Sequence, residues 1–261
     1  MTEAVPGALI GFIHRLADAA GAVIRPYFRS GLVADDKADE SPVTRADREA
    51  EAAIRALIAD AYPDHAIIGE EHGITNDGAE LTWVIDPIDG TKAFLCGKPM
   101  FGTLIALMRG GRPVLGLIDQ PITGERWVGG DGWPTQWNGR PVGVRGCPGL
   151  ERAILAATSP AQFSGADAAA FAGLSQRCKL THWGGDCYNY ALLASGQIDL
   201  VLETPLQIYD WAALVPVIEQ AGGVITDWHG RALRRGHVGR VLAAGDAARH
   251  AEALAIVAPH L

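Results

Sequence analysis

Two aspartates three residues apart, Asp86 and Asp89, are the residues of this chain best suited to chemistry. The apolar run 83–85 before them predicts a buried strand that delivers Asp86 at its carboxyl end. Pro87 and Gly90 make a tight turn that can aim both carboxylates at one point. Two such groups repel unless a cation or a shared proton lies between them, and Mg²⁺ prefers oxygen ligands. The motif predicts a magnesium site, with an aspartate in a surface turn as the alternative.

Other acidic residues also stand where predicted elements begin or end. Glu70 and Glu71 follow the apolar run 66–68, and Asp210 begins a predicted helix that contains Trp211. Taken singly, a solvated turn explains the glutamates and a helix N-cap explains Asp210. Together with the aspartate motif, they form the kind of set that can build a site for several metal ions. The sequence leaves open whether they meet in space.

Hydrophobic periodicity predicts the elements that must position these acids. One helix is predicted over 8–28, and a second starts at Thr44 as N-cap, carries Asp47 in its first turn and ends at Pro63. The remaining predicted strands and helices are strands 66–68, 83–85, 103–108, 114–118, 153–157, 198–202 and 224–226, and helices 167–176, 188–194 and 211–220. Strands and helices alternate from about residue 150. This change predicts an N-terminal α+β subdomain, 1–147, and a C-terminal α/β subdomain, 148–261.

Composition excludes several classes of protein. The 261 residues are 48% hydrophobic and carry a formal net charge of −8, which argues against disorder and against a nucleic-acid or anionic-membrane partner. The four cysteines are scattered without zinc-site spacing. The N-terminus lacks a signal-peptide pattern, and we expect no apolar run of membrane-helix length. The expectation is a cytoplasmic protein.

In combination, the motifs resemble the inositol monophosphatase family of lithium-sensitive, magnesium-dependent phosphomonoesterases, and most of all its histidinol-phosphatase branch. The segments that carry the family resemblance are Lys37, 41–47, 69–71, 86–91, 209–210 and 221–223, and those that carry the branch are Lys92, 97–103, 185–188 and 199–203. Cys96 and Leu214 depart from the family pattern at positions that are not ligands. The resemblance implies a layered α/β fold, an αβαβα sandwich of the inositol-monophosphatase/fructose-bisphosphatase type, and a homodimer.

The resemblance also implies a ligand set for two to three Mg²⁺ ions. The implied ligands are Glu70, Asp86 and the carbonyl of Ile88 for one ion, and Asp86, Asp89 and Asp210 for the second. Glu70 would also hold a third, looser ion, with Asp47 contacting its waters. Li⁺ is the implied inhibitor.

A second set of residues is implied for the water and the phosphate. Thr91 and Glu70 would position and deprotonate the attacking water, helped by Asp47 and Thr44. The amides of Gly90 and Thr91 would cradle the phosphate at a helix start, where backbone N–H groups are available. The reaction implied is hydrolysis of a phosphomonoester by metal-activated water.

The substrate implied by the branch is L-histidinol phosphate, from the pathway of histidine synthesis. Its ammonium and imidazole call for carboxylates beyond the metal site, and Asp186, Glu203 and Asp210 are the candidates. Lys92 would meet the phosphate or a neighbouring glutamate. The substrate-binding set is completed by Ile88, Asp89, Gly90 and Thr91.

Inositol 1-phosphate, a sugar phosphate and a nucleotide 3′-phosphate remain alternative substrates. A non-catalytic binding protein is a distant alternative, because a full set of repelling acids serves no evident purpose there.

Overall fold

Two large β-sheets and three layers of helices alternate through the described part of the chain. The structure, a computed structural model, describes residues 4–30, 35–36, 42–43 and 45–261. Thr44, the predicted N-cap, and the resemblance-bearing Lys37 and Ser41 lie outside these residues. The α-helices of the described residues are α1 (Gly7–Tyr27), α2 (Arg45–Ala61), α3 (Thr91–Leu95), α4 (Gly165–Ser175), α5 (Asp186–Ala194), α6 (Ile208–Trp211), α7 (Leu214–Glu219) and α8 (Ala247–Val257).

The strands fall into one short antiparallel pair and two larger sheets. The strands before residue 142 are β1 (Asp35–Asp36), β2 (Pro42–Val43), β3 (Ala66–Gly69), β4 (Gly73–Thr75), β5 (Leu81–Asp89), β6 (Gly102–Arg109), β7 (Arg112–Gln120), β8 (Glu125–Gly130), β9 (Trp133–Trp137) and β10 (Arg140–Pro141). Those after it are β11 (Ile154–Ala157), β12 (Leu180–Trp183), β13 (Leu200–Leu206), β14 (Val224–Thr226) and β15 (Gly239–Ala244).

The first large sheet has the strand order β10-β9-β8-β7-β6-β5-β3-β4. β3 and β5 run parallel, while the other neighbouring strands described in this sheet run antiparallel. The run from Gly102 to Met108 in β6 is buried throughout, as expected for a strand covered by helices on both faces. Gly110 and Gly111 adopt positive φ and form the hairpin turn that connects β6 to β7.

The second sheet has the order β12-β11-β13-β15-β14. β11 runs parallel to β12 and β13, and β15 pairs antiparallel with β13 and β14. Helices α1 and α2 cover one face of the first sheet, α5, α6 and α7 fill the space between the sheets, and α4 and α8 cover the second sheet from outside. This confirms the predicted αβαβα sandwich.

Helix α1 corrects one expectation from the sequence. Its 21 residues, with a mean hydropathy of 1.4 in the most apolar window, make it long and apolar enough to cross a membrane by those two measures alone. Ile13, Leu16 and Ile24 are fully buried, and α1 packs along α2 and against β6 and β7. A helix with one buried apolar face of this kind is what the outer layer of the sandwich requires.

The predicted helix over 211–220 is wrong in its extent. The structure has two short helices there, α6 and α7, separated at Ala212 and Ala213. Pro216 lies in the first turn of α7, where a missing N–H costs nothing. In one continuous helix its ring would clash with the preceding turn. The break turns α6 into a separate one-turn unit, and this unit carries Asp210.

The division into subdomains at 147/148 stays a prediction. The predicted boundary falls between β10, the last strand of the first sheet, and β11, the first strand of the second. Helices α5 and α7, which come after the boundary in the chain, nevertheless pack on strands of both sheets.

Candidate active site

The end of β5 brings Asp86 and Asp89 to one side of the sheet. In a regular strand, residues three apart point to opposite faces. Here the pairing with β6 changes register between the two aspartates, a bulge that re-aims the second side chain. The strand therefore continues through Asp89 and does not end at Asp86 as the sequence predicted. The N–H of Ile88 donates to Asp86 Oδ1 at 3.1 Å, and the hydroxyl of Thr91 donates to the carbonyl of Ile88 at 3.1 Å.

Asp210 reaches the same point from α6. Oxygens of Asp86, Asp89 and Asp210 lie within 4.8 Å of one another, and we name this set the inner cluster. Asp210 is the third residue of its helix, where it closes a capping box: the N–H of Gln207 donates to Asp210 Oδ2 at 2.6 Å. The N-cap interpretation of Asp210 is therefore wrong, and its second oxygen is the one left for a ligand.

A second group of acids lies beside the first. Oxygens of Asp47, Glu70 and Glu71 also lie within 4.8 Å of one another, and we name this set the outer cluster. Asp47, in the first turn of α2, is 2% exposed, whereas the two glutamates are half-buried. The N–H of Glu70 donates to the carbonyl of Ile85, which continues the parallel pairing of β3 with β5. That pairing puts the acids after β3 next to the acids of β5.

Burial, with mutual repulsion added to it, raises the pKa values of the inner cluster. Burial raises the pKa of Asp86 well above its ordinary value, and the nearby carboxylates of Glu70 and Asp89 raise it further. Burial and the carboxylate of Asp186 do the same for the pKa of Asp89. Burial raises the pKa of Asp210 to about 7, against the lowering effect of the Gln207 N–H. A cation among these groups would relieve the repulsion.

The donor set fits a hard divalent cation. All six members of the two clusters offer carboxylate oxygens, the ligands preferred by Mg²⁺, and they are close enough to share ions. Glu71 was noted in the sequence only as a neighbour of Glu70, and the structure brings it into the outer cluster. The sequence signal for it was the same strand end that pointed to Glu70.

Asp89 is held from the central helix layer. The N–H of Cys187, at the start of α5, donates to Asp89 Oδ2 at 2.6 Å, and the Cys187 side chain is buried. A Cβ on Gly102 would lie 2.7 Å from the Cys187 sulfur, so glycine in β6 is what permits this approach. No local pattern links Cys187 to Asp89, because the contact joins residues far apart in the chain.

The first turn of α3 lies next to the inner cluster. Gly90 precedes α3 with φ of 90°, a left-handed conformation that favours glycine, and a Cβ there would lie 3.1 Å from the Asp186 carboxyl carbon. The first N–H groups of a helix have no partner within it, so those at the start of α3 are available to a ligand. Lys92, one residue further, is exposed. These positions agree with a phosphate cradle, a role that stays a prediction.

Asp186 and Glu203 flank the inner cluster differently. Burial raises the pKa of Asp186 to about 6, while the charge of Lys92 opposes that rise. Glu203, on β13, is 3% exposed and accepts the Thr158 N–H at 2.9 Å, the Thr158 hydroxyl, and the Tyr190 hydroxyl at 3.1 Å. Burial raises the pKa of Glu203 to about 7. Glu203 therefore lies in the interior, and both of its oxygens already accept hydrogen bonds from the protein.

The comparison with known proteins agrees with this geometry. The inositol monophosphatase family matches residues 8–260. The chloroplastic bifunctional phosphatase IMPL2 of Arabidopsis thaliana is 53% identical over 220 residues, 84% of this chain and 64% of the plant protein. A histidinol-phosphatase of Chlorobaculum parvum is 36% identical over 224 residues, 83% of this chain and 84% of that protein. An inositol monophosphatase structure from Zymomonas mobilis has a TM-score of 0.90 at 49% identity, covering 97% of this chain and 98% of that chain.

The layered fold, the two carboxylate clusters and the similarity to known proteins together define a class of metal-dependent phosphatase. The chain belongs to the inositol monophosphatase family. It spans less than two thirds of the length of the plant relative. Two of these relatives are named for different phosphate esters, one for histidinol phosphate and one for inositol phosphate, so the similarity shows the family.

Proposed function

We propose that the protein hydrolyses L-histidinol phosphate to L-histidinol and phosphate, in a reaction that depends on Mg²⁺. The observation that carries the chemistry is the convergence of Asp86, Asp89 and Asp210 on one point, with the outer cluster beside them. Bound divalent ions would neutralise phosphate charge and lower the pKa of a water molecule. Asp86, Asp89, Asp210, Glu70 and the carbonyl of Ile88 are the groups proposed to hold them.

The residues of the chain have separate tasks in this proposal. Thr91, whose hydroxyl donates to the Ile88 carbonyl, is fixed by that bond with its oxygen lone pairs left to accept from a water. Glu70 is proposed to take the proton of that water, and Asp47 to order the waters beside it. Water attack is favoured because the sequence carries no cysteine or serine nucleophile motif.

The amides at the start of α3 are proposed to bind the phosphate oxygens. Their N–H groups can neutralise developing charge at fixed positions, without reorganisation during the reaction. Lys92, exposed beside them, adds a positive charge at the mouth of the site.

The choice of histidinol phosphate rests on the acids around the leaving alcohol. Asp186 lies near Asp210 of the inner cluster and its charge raises the pKa of Asp210, a repulsion that a substrate ammonium would relieve. The similarity to a histidinol-phosphatase over 83% of the chain supports the same assignment. Glu203 is proposed to act in this pocket through the charge it adds, because its oxygens accept from Thr158 and Tyr190.

Inositol 1-phosphate is the second candidate substrate, favoured by the 49% identity to the inositol monophosphatase of Zymomonas mobilis. A carboxylate such as Asp186 can accept bonds from inositol hydroxyls as well as from an ammonium.

The test is phosphate release by the purified protein with Mg²⁺, comparing L-histidinol phosphate with inositol 1-phosphate, fructose 1,6-bisphosphate and a nucleotide 3′-phosphate. The readout is kcat/KM, the ratio that expresses discrimination. A preference for histidinol phosphate of about a hundredfold, or about 3 kcal/mol, supports the proposal. A better rate on another ester keeps the metal chemistry and overturns the substrate. Release from none of them overturns both.

The proposal extends to a cytoplasmic homodimer inhibited by Li⁺. Light scattering on the purified protein measures the oligomeric state. Activity titrated with Li⁺ at saturating substrate measures the inhibition, and full activity at high Li⁺ contradicts a weakly held ion.

A further inference from the structure

Glu51 is a fully buried carboxylate that belongs to neither acidic cluster. It lies on α2 one turn after Asp47, and its side chain is 0% exposed. Glu51 Oε2 accepts the N–H of Glu71 at 2.7 Å, and Oε1 accepts the N–H of His72 at 3.2 Å. The two N–H groups belong to the turn that follows β3. A buried side chain on α2 therefore holds the backbone from which two members of the outer cluster project.

Arg55 completes this contact from the next turn of α2. Its Nε donates to Glu51 Oε1 at 2.6 Å, and its side chain is 13% exposed. The far end of the guanidinium donates to the carbonyl of Gly73 and to the Thr75 hydroxyl at 3.4 Å. The pair thus joins α2 to both ends of the β3–β4 turn. Charge-assisted bonds of this kind are stronger and more directional than neutral ones.

Gly69, the last residue of β3, makes room for the carboxylate. A Cβ at that position would lie 2.0 Å from Glu51 Oε1 and 2.3 Å from its carboxyl carbon. Such distances are impossible for real atoms, so any side chain there would displace Glu51. The acid and the glycine are complementary parts of one contact immediately before Glu70.

We propose that Glu51 is a positioning residue for the outer cluster, and that it sets the affinity of Asp47, Glu70 and Glu71 for a divalent ion. Asp47 supplies its oxygen from α2 directly, and Glu51, about 6 Å further along the same helix, fixes the turn that supplies the other two. The helix thereby sets the distance between acids that come from different segments. Residues behind metal ligands commonly change metal affinity by 10–100-fold when they are replaced. The inference rests on the proposed function for its use of the ion.

A merely structural role would give a different result. Glu51 would then stabilise the packing of α2 on the first sheet, and its loss would lower the unfolding temperature without changing ion binding. Asp199 provides the matched control. It is a buried carboxylate, directly before β13 of the second sheet, that accepts two bonds from Arg145 and one from the Ile154 N–H.

The experiment is calorimetric titration of the substrate-free protein with Mg²⁺, with Asp47→Asn used to identify the binding event of the outer cluster. In Glu51→Gln we expect that event to weaken about tenfold or more, while the inner event changes less than threefold or so. The Mg²⁺ concentration for half-maximal phosphate release should rise by a similar factor, with kcat at saturating Mg²⁺ much less affected. Asp199→Asn should lower the unfolding temperature and leave both binding events unchanged.

Equal Mg²⁺ affinities in wild type and Glu51→Gln overturn the proposal, as does a wild-type protein without a second Mg²⁺ event. If Glu51→Gln does not fold, Arg55→Gln tests the same contact from its more exposed end, with a smaller shift of the same sign. The calorimetry needs no substrate. A wild-type protein that shows two Mg²⁺ binding events but releases no phosphate therefore contradicts the proposed function. The role of Glu51 can still be measured in that case.

Discussion

The inner and outer carboxylate clusters use the same side-chain chemistry on different supports. Asp86 and Asp89 come from one bulged strand, Asp86 is 1% exposed, and each accepts a backbone N–H bond. Glu70 and Glu71 project from a turn, are half-buried, and depend on Glu51 of a neighbouring helix for their position. Preorganised, desolvated ligands bind an ion more tightly than ligands on a turn. We therefore expect the two clusters to bind ions with unequal affinity.

Asp86→Asn should reduce activity more than any other single substitution in the two clusters. Asp86 lies between the clusters, because Glu70, Asp89, Asp210 and Asp47 all raise its pKa. We expect kcat/KM to fall on the order of a thousandfold or more. The carboxylates act as a unit, so the loss of this one residue should remove most of the activity that they supply together. Asp119→Asn is the control, because Asp119 is a buried aspartate of the same sheet that pairs with Arg126. A loss of only a few fold in Asp86→Asn would contradict its central place.

In the metal-free protein, the inner cluster should make the free energy of unfolding depend on pH. The pKa of Asp210 is raised to about 7 by burial, so the folded state holds a proton there that the unfolded state releases near pH 4. The free energy of unfolding should therefore fall as pH rises from about 4 to about 7, by a few kcal/mol, or roughly 5–10 °C in unfolding temperature.

Thermal unfolding in a chelator at several pH values measures this effect. Asp210→Asn should flatten the profile, whereas Asp47→Asn should change it less. Saturating Mg²⁺ should remove most of the loss at high pH, because the ion takes the place of the protons. A metal-free protein whose stability is independent of pH over this range would contradict the raised pKa of Asp210.

Asp47→Asn tests the outer cluster alone. The Mg²⁺ concentration for half-maximal activity should rise about tenfold, while activity at saturating Mg²⁺ recovers in large part. Steady-state rates over a range of Mg²⁺ concentrations measure both quantities. If the variant were as inactive as Asp86→Asn at every concentration, the two clusters would not differ in the way described.

The smallest expected effect concerns Asp186, which flanks the inner cluster. For Asp186→Asn we expect kcat/KM on L-histidinol phosphate to fall about tenfold, or about 1.4 kcal/mol, through loss of a partner for the substrate ammonium. The same variant should change kcat/KM on an uncharged alcohol phosphate by no more than about threefold. Equal losses on both esters would assign Asp186 to the phosphate end of the site.

The sequence predicted the parts of the site that are local in the chain. The stretch from Asp86 to Thr91 carries its own turn residues, and the apolar spacing of α1 and α2 marks their buried faces directly. Asp47 and Glu51 occupy the same helical stripe as Ile54 and Ile58, so helical spacing alone indicates a buried position for Glu51.

The unpredicted parts depend on contacts between distant segments. The sequence predicts Asp210 as the N-cap, which is the wrong helix position, because only the structure shows which N–H its carboxylate accepts. The bond from Cys187 to Asp89 joins the central helices to the first sheet, and no local pattern encodes it. The bulge in β5 is set by pairing with β6, which a single strand does not reveal.

The inner cluster also joins parts of the chain that are far apart in sequence. Asp86 and Asp89 end β5, while Asp210 belongs to α6, and most of both sheets is encoded between them. An ion shared by these three side chains would cross-link the chain as a disulfide does, and would close a long loop in the folded state. Closing a long loop removes more chain entropy than closing a short one, although the gain grows slowly with length. Ion binding should therefore protect the whole region from β6 to β13 against proteolysis, and not only the residues beside the site.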